Sequence, residues 1–134
     1  MLTLIQNPTK RGGMKLKFLK SDFSVCKLRD LSRLNLASGL YFLSKTADEL
    51  SLVCFTEDVP DNTVIADHGW RAFRVEGPLD FSLVGILSRI AQILAGRNIS
   101  IFAVSTYDTD YVLVKADKID EAREVLLQSG YDIV

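Results

Sequence analysis

From about Trp70 onward the apolar positions of the chain follow alternating strand and helix periods. "WRAFRVEG" has strand composition, and "SLVGILSRIAQILAGRN" then places Leu83, Ile86, Leu87, Ile90 and Leu94 at helical spacing, with Ser82 in the cap position and Gly96 at the stop. Two strands follow, "ISIFAVS" and "DYVLVK", joined by a turn rich in Thr and Asp. A second helix starts from an Asp117 cap, carries Ile119, Ala122, Val125 and Leu126, and stops at Gly130 before a last strand, "YDIV". The order is βαββαβ. With right-handed crossovers it predicts an α+β, ferredoxin-like unit in which both helices cover the same face of one antiparallel sheet.

That unit cannot stand alone, because "ISIFAVS" is apolar on both faces: Ile99, Ile101 and Ala103 on one, Phe102 and Val104 on the other. The earlier residues supply a cover. "MKLKFL", "FSVCKL", "LYFLSK" and "ELSLVCFT" read as strands, while "RDLSRLNLASG" is too interrupted by Ser and Gly for more than a short helix. The expected organisation is a flexible N-terminal extension over 1–13, a shortened half of the same kind over 14–69, and a complete half over 70–134. "ADHGW" falls in the expected linker. Pairing within the chain or across a homodimer would close the second apolar face.

Composition narrows the function. The chain has 134 residues, 48% apolar and 25% charged, with a net charge of −1. Its basic residues are scattered, so neither nucleic acid nor an anionic membrane is an expected partner. No apolar run reaches the roughly 20 residues of a membrane span, and in "MLTLIQNPTKRGG" the basic residues follow the apolar ones, the wrong order for a signal peptide. A cytoplasmic location is expected. Cys26 and Cys54 lie singly in strand-like stretches without C-x-x-C spacing, which favours two buried, reduced thiols over a disulfide, a zinc site or a nucleophile. The lone His68 reads as a surface residue. Asp108 and Asp110 lack the further oxygen ligands that a calcium loop needs, so no metal and no cofactor is expected.

"STYDTDYVLV", "NISIFAVST", the loop-to-helix segment "GPLDFSLVGILSRIAQILAGRNIS" and the earlier "YFLSKTADELSLVCFTEDVP" together resemble the ACT domain. The resemblance runs from about residue 15 to 134. It is similar to aspartate kinase regulatory domains, to the eukaryotic cytosolic arginine sensors and to small bacterial two-ACT proteins. It implies a non-catalytic amino-acid sensor of two tandem ACT halves, with the ligand held at the seam between halves. It also implies a pocket lined by Val84, Gly85 and Ile86 on one wall and by Thr106, Tyr107 and Asp110 on the other. Free helix N–H groups beside Gly85 would suit a carboxylate, and Asp110 would suit an ammonium or guanidinium. Leu83 stands where related pockets often carry an acid, which argues against a strongly cationic side chain. The signal would be read by a separate regulated enzyme or by the protein's own oligomer.

Each of these residues also has an ordinary explanation. Gly85 fits tight packing, Asp108 and Asp110 fit turn chemistry, and Tyr107 fits a rim or dimer contact. Among other classes, "RVEGPLDF" lacks the arginine an acylphosphatase-like anion loop would need. "ISIFAVS" lacks the exposed basic and aromatic residues of an RNA-binding sheet. The competing reading is a structural oligomerisation module without a ligand.

Overall fold

The computed structural model describes residues 14–76 and 85–134, so the 1–13 extension and the positions Ser82, Leu83 and Val84 lie outside the described residues. The chain forms two compact units: one takes residues up to Lys20 together with Ala72–Val134, and the other takes Ser21–Arg71.

In the first unit the elements are β1 (Lys15–Phe18), the end of β5 (Thr63–Val75), α1 (Ile86–Ala95), β6 (Phe102–Ser105), β7 (Asp110–Lys115), α2 (Ile119–Gln128) and β8 (Asp132–Ile133). From β5 onward this is the expected βαββαβ. The strands lie in the order β6-β7-β5-β1-β8. A ferredoxin-like sheet would place β5 beside β8, and here β1 is inserted between them. It runs antiparallel to β5, with Leu16 opposite Val75 and Phe18 opposite Phe73, and parallel to β8, with Leu16 opposite Ile133. "MKLKFL" thus belongs with 72–134 and not, as its place in the sequence suggested, with the earlier half. The cause is packing. Leu16 and Phe18 are buried while Lys15 and Lys17 are exposed, and the Phe18 ring stacks on Phe73 at 4.8 Å with the Arg123 guanidinium 4.7 Å above it.

Both helices bury the stripes their spacing predicted: Ile90 and Leu94 from α1, and Ile119, Ala122, Val125 and Leu126 from α2. Their ends differ in detail. Gly96 stays right-handed, and it is Asn98 that turns left-handed at φ 60, letting the Ile99 N–H donate back to the Leu94 carbonyl at 3.0 Å. Asp117 makes no cap. It sits in a 3₁₀ turn, Ala116–Lys118, that already engages the Ile119 N–H, and Lys118 is the residue at the start of α2. Gly130, at φ 101, does end α2. β7 is buried on both faces through Val112, Leu113 and Val114, whereas on the edge strand β6, where the two-sided apolar pattern was read, Phe102 and Val104 are half-buried and Ala103 is exposed.

The second unit contains β2 (Phe23–Leu28), β3 (Tyr41–Lys45), β4 (Leu50–Phe55) and β5 up to Arg71, in the order β3-β4-β2-β5. This is the same arrangement without helices: turns span 29–40, and a single 3₁₀ turn, Thr56–Asp58, stands in the second helix position. Leu34 and Val59 from those connections pack on a core of Cys26, Leu28, Leu52 and Cys54. Both thiols are free and buried, and hydrogen bonding with Cys26 together with burial pushes the Cys54 thiol up. The expected linker is instead strand. β5 begins at Thr63 and passes a register shift opposite Ser24, where Gly69 adopts φ 83. The buried Ser24 hydroxyl bonds there to His68 Nδ1 at 2.7 Å and to Thr56 Oγ1 at 2.9 Å, leaving His68 an exposed strand residue. The architecture is α+β, two ferredoxin-like halves in tandem, the first with its helices reduced to turns.

If β1 is core to the first unit, Leu16→Ala should lower the unfolding free energy by roughly 2–5 kcal/mol. Leu36→Ala, at a side chain 73% exposed, should stay within about 0.5 kcal/mol. Urea denaturation compares them, and equally small losses would put β1 outside the core.

Candidate functional site

Three of the six residues implied as ligand contacts meet in the β6–β7 hairpin. Its last ladder pair is Ser105 opposite Asp110, and the turn between them is closed by one residue, Thr106. The Thr106 N–H donates to the Thr109 carbonyl at 2.8 Å, its hydroxyl donates to the same carbonyl at 3.0 Å, and the Thr109 N–H donates to that hydroxyl at 3.3 Å. Thr109, which the sequence did not single out, donates its own hydroxyl to the Val75 carbonyl at 2.5 Å. The turn is thereby pinned to the end of β5. Tyr107 is 83% exposed and Asp108 is exposed beside it, whereas Asp110 is half-buried and accepts the Ser105 hydroxyl on Oδ1 at 2.6 Å.

The chain carries its own control for this turn. In the β3–β4 hairpin Lys45 faces Leu50 across an equally long connection, and Thr46 closes it in the same way: its N–H donates to the Glu49 carbonyl at 3.0 Å, and its hydroxyl accepts from the Asp48 and Glu49 N–H groups at 3.2 Å. Asp48 occupies the place of Asp108. An aspartate there is turn chemistry. The place of Asp110 is taken by Leu50, which packs on the core of its unit. Neither turn therefore requires a carboxylate at the first strand position. By the two-residue period of a strand, Asp110 also shares a face with Val112 and Val114, so it ends an otherwise apolar row.

At the other end of the implied pocket, Gly85 is not inside the helix. It is the residue just before α1, left-handed at φ 77, and its carbonyl accepts the Arg89 N–H at 2.9 Å. A Cβ added there would meet nothing within 4 Å, so backbone conformation, not close packing, explains the glycine. Ile86 packs its side chain on the core and can offer a ligand only its N–H. The first turn of α1 holds no acidic residue, whereas that of α2 holds Asp120 and Glu121. The α1 end thus keeps its positive dipole uncompensated by its own side chains. Among the described residues no hydrogen bond joins Gly85 or Ile86 to the hairpin turn. Near the hairpin the sequence also missed Arg74, which pairs with Glu76 at 3.2 Å and reaches the Tyr111 hydroxyl at 3.5 Å, contacts that hold its guanidinium above the ordinary value.

A shallow depression of about 470 Å³ lies in the second unit, lined by residues including Arg33, Glu57, Asp58 and Asp61. Arg33 and Asp61 already satisfy each other there through two N–H···O bonds of 2.9 and 2.8 Å. Among the described residues no cluster of His, Cys, Asp and Glu is placed to hold a metal ion, and no helix is long and apolar enough to cross a membrane.

Residues 65–128 match the family model described as the ACT domain. The cytosolic arginine sensor for mTORC1 subunit 1 of Homo sapiens is 43% identical over 58 residues, which make up 42% of this chain and 18% of the sensor. The chain thus spans less than a fifth of the length of that curated relative. The X-ray structure of an Agobacterium tumefaciens protein superposes with a TM-score of 0.80 at 29% identity, covering 90% of this chain and 92% of its own. The ligand-free regulatory subunit of aspartate kinase from Thermus thermophilus superposes with a TM-score of 0.56 at 10% identity, over 85% of this chain and 95% of its own, a likeness of fold alone.

Helix propensity would favour alanine over glycine at position 85, but the left-handed backbone reverses the sign. Gly85→Ala should cost about 1–2 kcal/mol of stability, and Gly85→Asn less, since asparagine tolerates that conformation. Thermal denaturation reads both; a more stable alanine variant would mean the backbone there is right-handed.

Proposed function

We propose, because residues 65–128 match the ACT domain, that the chain is a non-catalytic sensor of a free amino acid or a related small effector. The ligand's carboxylate sits on the α1 N-terminus, met by backbone groups of Val84, Gly85 and Ile86, and its ammonium meets Asp110, with Thr106 and Tyr107 at the rim. The observation that carries this reading is Asp110 itself. It is a half-buried carboxylate at the end of an apolar row, in a turn whose twin forms with leucine at the same place. A relative over part of the chain supports it, being named for arginine sensing. The protein works in the cytoplasm as a homodimer and passes its signal to a separate enzyme. An assembly role without a ligand is the second reading, favoured by the exposed apolar side chains of Val64 and Ile65 on β5.

Thermal shift against the twenty standard L-amino acids decides between the two. A ligand at 100 times its dissociation constant adds about 2.7 kcal/mol, several degrees in a protein this small. No shift with any of them would leave the assembly role. Calorimetry of the binder should give one site per chain, because Leu50 removes the charge from the other hairpin.

Substitutions at the turn separate function from folding. Asp110→Asn should weaken binding by about 2 kcal/mol or more, while Asp108→Asn should change it by less than about 0.5 kcal/mol. Asp110→Leu, which completes the apolar row as Leu50 does, should abolish binding yet raise the stability of the unliganded protein by about 1 kcal/mol. A destabilised Asp110→Leu would show the carboxylate to be structural.

A further inference from the structure

The hairpin that holds Asp110 differs from its twin in a linked way. Where one has Ser105 facing Asp110, the other has Lys45 facing Leu50, so the hydroxyl and the carboxylate occur together or not at all. Neither is needed to close the turn, which Thr106 and Thr46 accomplish in both. The Ser105 hydroxyl donates to Oδ1 of Asp110 at 2.6 Å, and among the described residues the carboxylate makes no ion pair. A neutral donor fixes the rotamer of a carboxylate without cancelling its charge, which a lysine or arginine partner would do. Thr109, anchored to the Val75 carbonyl, keeps the base of the turn from swinging.

We propose that Ser105 is a positioning residue for Asp110: it occupies Oδ1 and leaves the remaining oxygen, with the charge intact, to receive the ammonium of a bound amino acid. This rests on the amino-acid reading above and adds to it the residue that sets the geometry of charge recognition. Ser105 lies on the edge strand with its side chain exposed, so its removal leaves no cavity.

The experiment uses the full chain and three variants, Ser105→Ala, Ser105→Thr and Asp110→Asn, with the Ser105→Ala/Asp110→Asn double variant. The twenty standard L-amino acids are titrated singly by calorimetry. Ser105→Ala should weaken the binder about tenfold, Ser105→Thr should restore it to within about threefold, and Ser105→Ala should add nothing in the Asp110→Asn background. Unliganded melting temperatures should stay together across the serine variants. Independently of any ligand, the side-chain carboxyl ¹³C resonance of Asp110 should move in Ser105→Ala and return in Ser105→Thr. A resonance that stays in place, or a Ser105→Ala protein that binds like the wild type while Asp110→Asn does not, overturns the positioning role and leaves the sensor reading standing. An equal loss in the Asp110→Asn background makes the hydroxyl a general support of the hairpin and also overturns it. Failure of the wild type to bind any of the twenty removes both.

Discussion

The first unit depends on the double ladder that β1 makes. Without that strand, β5 and β8 would face each other across a gap with unpaired N–H and C=O groups along both edges, and Phe73 and Val75 would lose the side chains that close the core over them. Everything that positions the hairpin follows from β5 being held in place, because Thr109 is tied to the carbonyl of its last residue. A segment far away in sequence therefore determines where a turn near the other end of the chain can sit.

That dependence marks where the sequence stops being legible. Period alone identified α1 and α2 and the residues they bury, and it identified the strands of both hairpins, because a stripe or an alternation is a local property. It could not place β1, since Leu16 and Phe18 alternate with lysines in the same way whichever sheet receives them. The early part of β5 was hidden for a related reason: "ADHG" reads as a break, and only the register shift opposite Ser24, with Gly69 left-handed, makes it a continuous strand. At the site, Asp110 was conspicuous as a carboxylate between apolar runs. Ser105 and Thr109 were not, because their roles come from a cross-strand pair and from a bond to a distant carbonyl. The left-handed backbone of Gly85 was not legible either, handedness being invisible in composition.

The two hairpins also show how one turn, formed twice, admits different residues at its first strand position. One copy places leucine on its core and keeps the turn; the other keeps the same turn and accepts a half-buried charge that the fold does not need. The tolerance comes from position, at the end of the row beside solvent, where a carboxylate can be half-buried and hydrogen-bonded without being fully desolvated.

The loss of helices in the second unit has its own consequence for motion. Leu34 and Val59 reach the core from turns, whose backbone lacks the regular internal hydrogen bonds that make a helix open as a block. The two connections are tied mainly to each other, through Arg33–Asp61, Ser38–Asp58 and Asn62–Asp30, so lifting them together would uncover Cys26 and Cys54 without unravelling β2 or β4. Amide hydrogens over 29–40 and 56–62 should then exchange by smaller openings than those of the central strands, which would make the region beside the two thiols the more permeable side of this half.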